Sequence, residues 1–168
     1  GSGTFLIEAA RRACQIASGL DRRFQAEQWD CVPDSAWRNA RSEALDRINR
    51  NVAFEGWGWD IDPQAVRLTM ENAKKAGVDK FLHIEQRDIK DFQPIAGAVT
   101  FCNPPYGERM LEQREAQQIY RTMGKVLTAP LHIICGDPDF ERCFGKKADK
   151  RRKLYNGMIS CQLYSYLK

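Results

Sequence analysis

The chain has 168 residues and a formal net charge of +4, with 43% hydrophobic and 29% charged residues. That balance fits one folded domain with a real core and excludes a disordered or fibrous chain. No apolar run reaches transmembrane length and no signal-peptide pattern occurs, so the expected location is the cytoplasm.

The mild positive charge permits a polyanionic partner without requiring one. Six cysteines form no C-x-x-C pair, and the two histidines do not complete a zinc set. Reduced thiols and no metal are the expectation.

In chain order, GSGTFLIEAA opens with a glycine turn that leads straight into a helix. Such a turn ordinarily follows a strand, so the chain reads as lacking its first one, although Gly1-Ser2 alone also fits a cloning remnant. Apolar spacing predicts a helix over 5–18, closed by Gly19. An irregular connection containing Trp29 and Pro33 follows. A charged amphipathic helix is expected over 34–50, capped by Asp34 or Ser35. FEGWGWDID supplies a short strand over about 54–60, and Asp62-Pro63 starts a helix that ends at Gly77. FLHIEQR (81–87), AVTFC (98–102) and LHIICG (131–136) read as strands, with helices over 114–128 and near 138–144. The last two strands flank Asn156-Gly157, a type I′ hairpin signal.

Alternating helices and strands predict an α/β fold: a mostly parallel, Rossmann-like sheet with an antiparallel hairpin at its end. In such sheets ligands bind at the carboxyl ends of the strands. Four stretches stand there. Gly1, Ser2, Gly3 and Thr4 precede a helix N-terminus, where backbone N–H groups favour negative charge. Asp60 ends the second strand and can accept hydrogen bonds from ribose hydroxyls. Asp88 can take an adenine amine, with Ile61 and Ile89 on the purine faces; plain core packing competes for both isoleucines. The incomplete glycine pattern disfavours a dehydrogenase.

The fourth stretch is Asn103, Pro104, Pro105 and Tyr106, at the end of AVTFC. An amine conjugated to a ring is a poor nucleophile because its lone pair is delocalised. The Asn103 side-chain oxygen and the Pro104 carbonyl can each accept one of its N–H bonds and favour a pyramidal nitrogen. Prolines fix the carbonyl's direction, and Tyr106 offers a ring for an extruded base. No metal or strong base is needed; positioning carries the rate. Lys146, Lys147, Lys150, Arg151, Arg152 and Lys153 form a basic run suited to phosphates, with Arg109 a further candidate. His83, His132, Trp57, Trp59, Tyr155, Tyr164 and Tyr166 read as packing residues.

Asn-Pro-Pro-Tyr resembles the motif of class I S-adenosylmethionine methyltransferases acting on planar nitrogens. Together with GSGTFLIEAA, EQWDCVP, GWDIDPQAV, NPPYGER and FGKKADKRRKLYNGMI, it resembles the catalytic domain of THUMP-containing bacterial rRNA guanine-N2 methyltransferases of the RlmL type, Firmicutes members in particular. The resemblance covers essentially residues 1–168, as one catalytic domain without the THUMP domain and without a first strand ending Asp-Pro-x-Cys. It implies S-adenosylmethionine held by the glycine turn and Asp60, with its adenine at Asp88, and the target guanine of 23S rRNA held by Asn103 to Tyr106, where Asn103 also borders the cofactor. Three alternatives stand beside it: glutamine N5-methylation of a release factor, adenine-N6 methylation, and a non-catalytic cofactor- or RNA-binding module.

Overall fold

The computed structural model describes residues 1–106 and 110–168. It divides into two compact units, 1–86 and 87–168.

In the first unit, α1 (Thr4–Ala13) starts at Gly3, whose φ of 75° is a left-handed conformation open to glycine. A side chain there would also collide with Thr69, since a Cβ would lie 2.3 Å from its methyl carbon. The helix stops five residues before the expected end at Ser18. Gln15 turns to a φ of 55°, and the Ile16 N–H closes back on the Arg11 carbonyl at 2.9 Å. The connection that follows is tied down by Arg41, which donates to the Leu20 and Arg22 carbonyls, both at 2.7 Å. Next, α2 (Asp34–Asp46) follows Pro33, with no side-chain cap bond; Asp34 lies inside its first turn, not at the cap. No residue of α2 is buried, so this helix lies on the surface.

Strand β1 (Gly56–Asp60) pairs in parallel with β2 (Leu82–Gln86), from Gly56 opposite Leu82 to Asp60 opposite Gln86. Between them, α3 (Pro63–Lys75) begins as expected: the Asp62 carboxylate accepts the Gln64 N–H at 2.8 Å, with Pro63 at the first helical position. Ile7, Ala10 and Cys14 of the first helix and its end pack with Ala73, Val78 and Phe81 into a small core.

In the second unit, β3 (Thr100–Cys102) pairs in parallel with β4 (Leu131–Cys135), and β6 (Ile159–Tyr166) runs antiparallel between β4 and β5 (Lys150–Asn156). Helices α4 (Met110–Val126) and α5 (Phe140–Phe144) cover the sheet. They approach closely: a Cβ on Gly124 would sit 1.9 Å from the Phe144 carbonyl oxygen, so only glycine fits there. The core is larger and aromatic, built around Tyr120, Met123, Leu127, Ile133, Phe140, Phe144, Tyr164 and Tyr166.

The α/β fold with parallel strands and a C-terminal antiparallel hairpin is therefore present. Two points differ from expectation. The strands form a two-stranded and a four-stranded sheet, not one, because among the described residues nothing pairs with the outer edges of β1 and β3. The hairpin turn is Gly157-Met158, one residue later than Asn156-Gly157, since Asn156 still pairs with Ile159.

Candidate active site

In the first unit the structure brings Gly1 to Thr4 against α3 and Asp60. Thr69 Oγ1 donates to the Gly1 carbonyl at 2.9 Å, and Asn72 Nδ2 donates to the Ser2 carbonyl at 3.0 Å. Ser2 and Thr4 hydroxyls share a hydrogen bond of 2.8 Å. The Asp60 carboxylate accepts the Asp62 N–H at 3.0 Å. Burial raises the Asp60 pKa, while hydrogen bonds from the Asp62 and Ile61 N–H groups lower it. Asp60 thus places a carboxylate at a strand end, an acceptor of the kind that ribose hydroxyls pair with. Ile61 beside it is 63% exposed, an apolar face next to an acceptor. This pair fits an adenosine, whose sugar is polar and whose ring is flat and apolar.

In the second unit, Asp88 caps a short 3-10 turn over Ile89–Asp91. Its Oδ1 accepts the Lys90 N–H at 3.0 Å and its Oδ2 pairs with the Lys90 ammonium at 3.2 Å. The Lys90 N–H is the main cause of its lowered pKa. Ile89 is half-buried and packs against the aromatic core.

The loop after β3 alternates in exposure. Asn103 and Pro105 are exposed, Pro104 is buried, and Tyr106 is half-buried against the core. The fully buried Tyr120 of α4 donates its hydroxyl to the Pro105 carbonyl at 2.8 Å. Cys135 Sγ contacts the same hydroxyl at 3.6 Å. Burial is the first cause holding Tyr120 above the usual phenol range, so it stays protonated and keeps donating. The loop's second proline is therefore anchored from below while Asn103 faces outward. Sequence reasoning missed Tyr120. The available signal was a tyrosine on the apolar stripe Ala116, Tyr120, Met123, Leu127, where a buried hydroxyl needs a partner.

The neighbouring thiols are not nucleophiles. Burial pushes Cys102 up to about 11 and raises Cys135 as well, so both are neutral. At the end of β4, the buried Asp137 accepts the Asp139 N–H at 2.8 Å through Oδ1, and its Oδ2 has no hydrogen-bond partner among the described residues.

The basic run splits. Lys146 donates to the Leu127 carbonyl at 3.2 Å and lies 5.7 Å from the Phe144 ring centre, which are packing contacts. Lys147 is exposed ahead of β5. On β5 itself, Lys150 and Arg152 alternate with Arg151 and Lys153, so the four exposed cations line both faces. Arg151 is engaged by Glu141, with its Nε 2.7 Å from Oε2. Arg109 and Gly107 lie outside the described residues. The histidines have packing partners: His83 stacks on Trp57 at 5.2 Å, and His132 stacks on Phe101 at 4.8 Å while sharing a 2.9 Å hydrogen bond with Ser165. Tyr164 and Tyr166 are buried as expected, whereas Tyr155 is 65% exposed. Among the described residues no group of three or more His, Cys, Asp or Glu is placed to hold a metal, and no helix is long and apolar enough to cross a membrane.

A Rossmann-like α/β fold with Asn-Pro-Pro-Tyr at a strand end defines a class I methyltransferase domain. Residues 1–165 match the family described as UPF0020, RMKL-like, methyltransferase domain, and the chain belongs to that family. It is 36% identical over 171 residues to a Bacillus subtilis protein provisionally named RNA methyltransferase YpsC, covering 99% of this chain and 44% of the relative. It is 35% identical over 176 residues to the ribosomal RNA large subunit methyltransferase K/L of Shewanella amazonensis, covering 99% of this chain and 25% of that protein. The chain thus spans less than half the length of these relatives. Among solved structures, the methyltransferase candidate SMU.472, in complex with SAH, superposes with a TM-score of 0.88 at 35% identity, over 99% of this chain and 46% of the other. A Listeria monocytogenes protein described as a predicted N6-adenine-specific DNA methylase gives 0.87 at 37% identity, over 99% of this chain and 44% of the other.

Proposed function

We propose that the protein uses S-adenosylmethionine to methylate the exocyclic N2 amine of a guanine in large-subunit rRNA, in the cytoplasm, with residues 1–168 as its catalytic domain. The observation that carries this reading is the loop after β3, with Asn103 exposed and the Pro105 carbonyl held by buried Tyr120. The Asn103 side-chain oxygen and the Pro104 carbonyl take the two N–H bonds of the amine, which localises the nitrogen lone pair. Tyr106 supports the extruded base by stacking. When bound, S-adenosylmethionine supplies an electrophilic methyl group. Asp60 accepts from its ribose, Gly1 to Thr4 face its charged end, and Asp88 accepts from its adenine amine. Lys147, Lys150, Arg152 and Lys153 contact phosphates, with Arg109 a further contact. The family assignment, the name of the Shewanella relative and the SAH complex of SMU.472 support the methyl donor and the RNA substrate.

A second reading, adenine-N6 methylation, is favoured by the name of the Listeria structure. The same loop chemistry serves either amine. The test is to incubate the full-length protein with labelled S-adenosylmethionine and rRNA from a strain lacking the enzyme, then digest to nucleosides. The expected label is N2-methylguanosine. Labelled N6-methyladenosine overturns the base, and label in a release factor instead of RNA overturns the substrate class.

A further inference from the structure

The tip of the β5–β6 hairpin exposes apolar side chains that nothing in the fold requires. Met158 in the turn is 100% exposed, Tyr155 is 65% exposed and Ile159 is 40% exposed. Three exposed apolar side chains within five residues of one turn can form a contact surface. Its place in the fold says which contact. The root of the tip shares a packing point with the catalytic loop: a Cβ on Gly136 would find Ile159 Cγ2 at 3.3 Å, Tyr106 Cδ2 at 3.4 Å and Cys161 Sγ at 3.5 Å. Cys161 Sγ also lies 3.9 Å from the Tyr106 hydroxyl. The tip therefore stands directly beside the tyrosine that supports the target base.

Charge supplies the second argument. Strand β5, Lys-Arg-Arg-Lys-Leu-Tyr-Asn, carries four consecutive cations and no acid as it rises to the tip. Lys153 Nζ lies 5.3 Å from the centre of the Tyr155 ring, so an aromatic face and a cation are presented together. Single-stranded nucleic acid is bound by this combination, with cations on the phosphates and aromatic rings on the bases. An apolar side chain in front of such a strand enters a base stack and holds it open. Methionine suits that place because it is unbranched and adapts its shape. Arg151 is engaged by Glu141, and Lys150, Arg152 and Lys153 remain as a basic edge leading to the apolar end, a pattern that a phosphate backbone matches better than a protein partner or a second copy of the chain.

We propose that this hairpin tip is the base-extrusion wedge of the enzyme. Met158 and Tyr155 occupy the stacking faces that the target nucleotide leaves, while Lys150, Arg152 and Lys153 track the adjoining phosphates. The proposal rests on the reading of the protein as an RNA methyltransferase. It adds a residue set whose task is opening the RNA, not transferring the methyl group.

The test compares the full-length wild type with Met158→Ser and Tyr155→Ala. The substrates are folded rRNA and an rRNA fragment from which the strand pairing with the target has been removed. Both substituted side chains are solvent-exposed, so the variants retain the fold, and S-adenosylmethionine affinity serves as the control. The expected result is a fall of about tenfold or more in transfer to folded rRNA, the size of one lost base stack. Transfer to the unpaired fragment stays near wild type, and cofactor affinity is unchanged. Equal losses on both substrates, or wild-type rates on both, overturn the wedge while leaving the RNA methyltransferase reading intact. Failure of the wild type itself to label any RNA overturns both.

Discussion

The two units of the chain solve different problems with different materials. Residues 1–86 hold their glycine turn by polar bonds: Thr69 and Asn72 grip the Gly1 and Ser2 carbonyls, and Asp60 sits at the end of a two-stranded sheet over a small core. Residues 87–168 hold their loop on an aromatic core, with buried Tyr120 bonded to the Pro105 carbonyl and Tyr106 packed on the same cluster. A flexible, charged cofactor is suited by a carboxylate and open backbone. A pair of hydrogen-bond acceptors that must reshape an amine is suited by prolines over a rigid floor. On the proposed assignment, recognition and chemistry fall to different residues of this chain.

That separation can be broken by substitution. The largest effect is expected at Asn103. Asn103→Ala removes one of the two acceptors for the amine, and single-turnover transfer should fall by about 100-fold or more, with cofactor affinity measured by calorimetry close to wild type. Asp60→Ala is next. Loss of a charged acceptor costs about 1.5–3 kcal/mol, so the S-adenosylmethionine Kd should rise by about 10- to 100-fold, while transfer at saturating cofactor is largely kept. An unchanged Kd would remove the ribose role from Asp60.

Tyr120→Phe should act more gently and only on the chemistry. Its ring still fills the core, but the Pro105 carbonyl loses its donor, which costs about 1–3 kcal/mol. A fall in kcat of about tenfold is expected with cofactor Kd unchanged. If kcat and Kd moved together, the hydroxyl would be supporting the fold in general.

The smallest effect concerns acid. Glu141 holds Arg151 of β5 and accepts the Ala148 N–H at 2.8 Å. Burial raises its pKa, but the Arg151 and Ala148 bonds outweigh that and leave it below 4.5. A lowered folded value means stability that is present above about 4.5 and lost as pH falls through the folded value. Melting temperature should therefore drop more on acidification in the wild type than in Glu141→Gln. Parallel curves would show that the pair contributes nothing to the pH response.

What could be read in the sequence was local. The Asp62-Pro63 helix start, the strand-ending prolines and the C-terminal hairpin depend on neighbouring residues; the first two stand where the sequence placed them, and the hairpin is present with its turn one residue later. What could not be read was set by tertiary contact. The apolar spacing of Ile16 and Ala17 extends the α1 pattern, yet Gln15 turns the chain out of the helix. The division into two sheets depends on which strand edges find partners, and no periodicity reports that. Tyr155 shares a hairpin with Tyr164 and Tyr166 and was expected to pack like them; only the register shows it standing at the exposed end. Within the candidate site, the strand end at Asn103 to Tyr106 was legible because two prolines directly follow an apolar run. Tyr120 was not, because its partner is fifteen residues away in sequence and meets it only through the fold.

The central claim is that cofactor recognition and methyl transfer belong to different residues. The most direct test measures S-adenosylmethionine affinity and single-turnover transfer to rRNA in the same preparations of full-length Asn103→Ala and Asp60→Ala. The account predicts a crossed result: Asn103→Ala binds the cofactor and transfers almost nothing, and Asp60→Ala binds weakly and transfers once saturated. Near-normal turnover by Asn103→Ala, or the same joint loss of affinity and transfer in both variants, would contradict it.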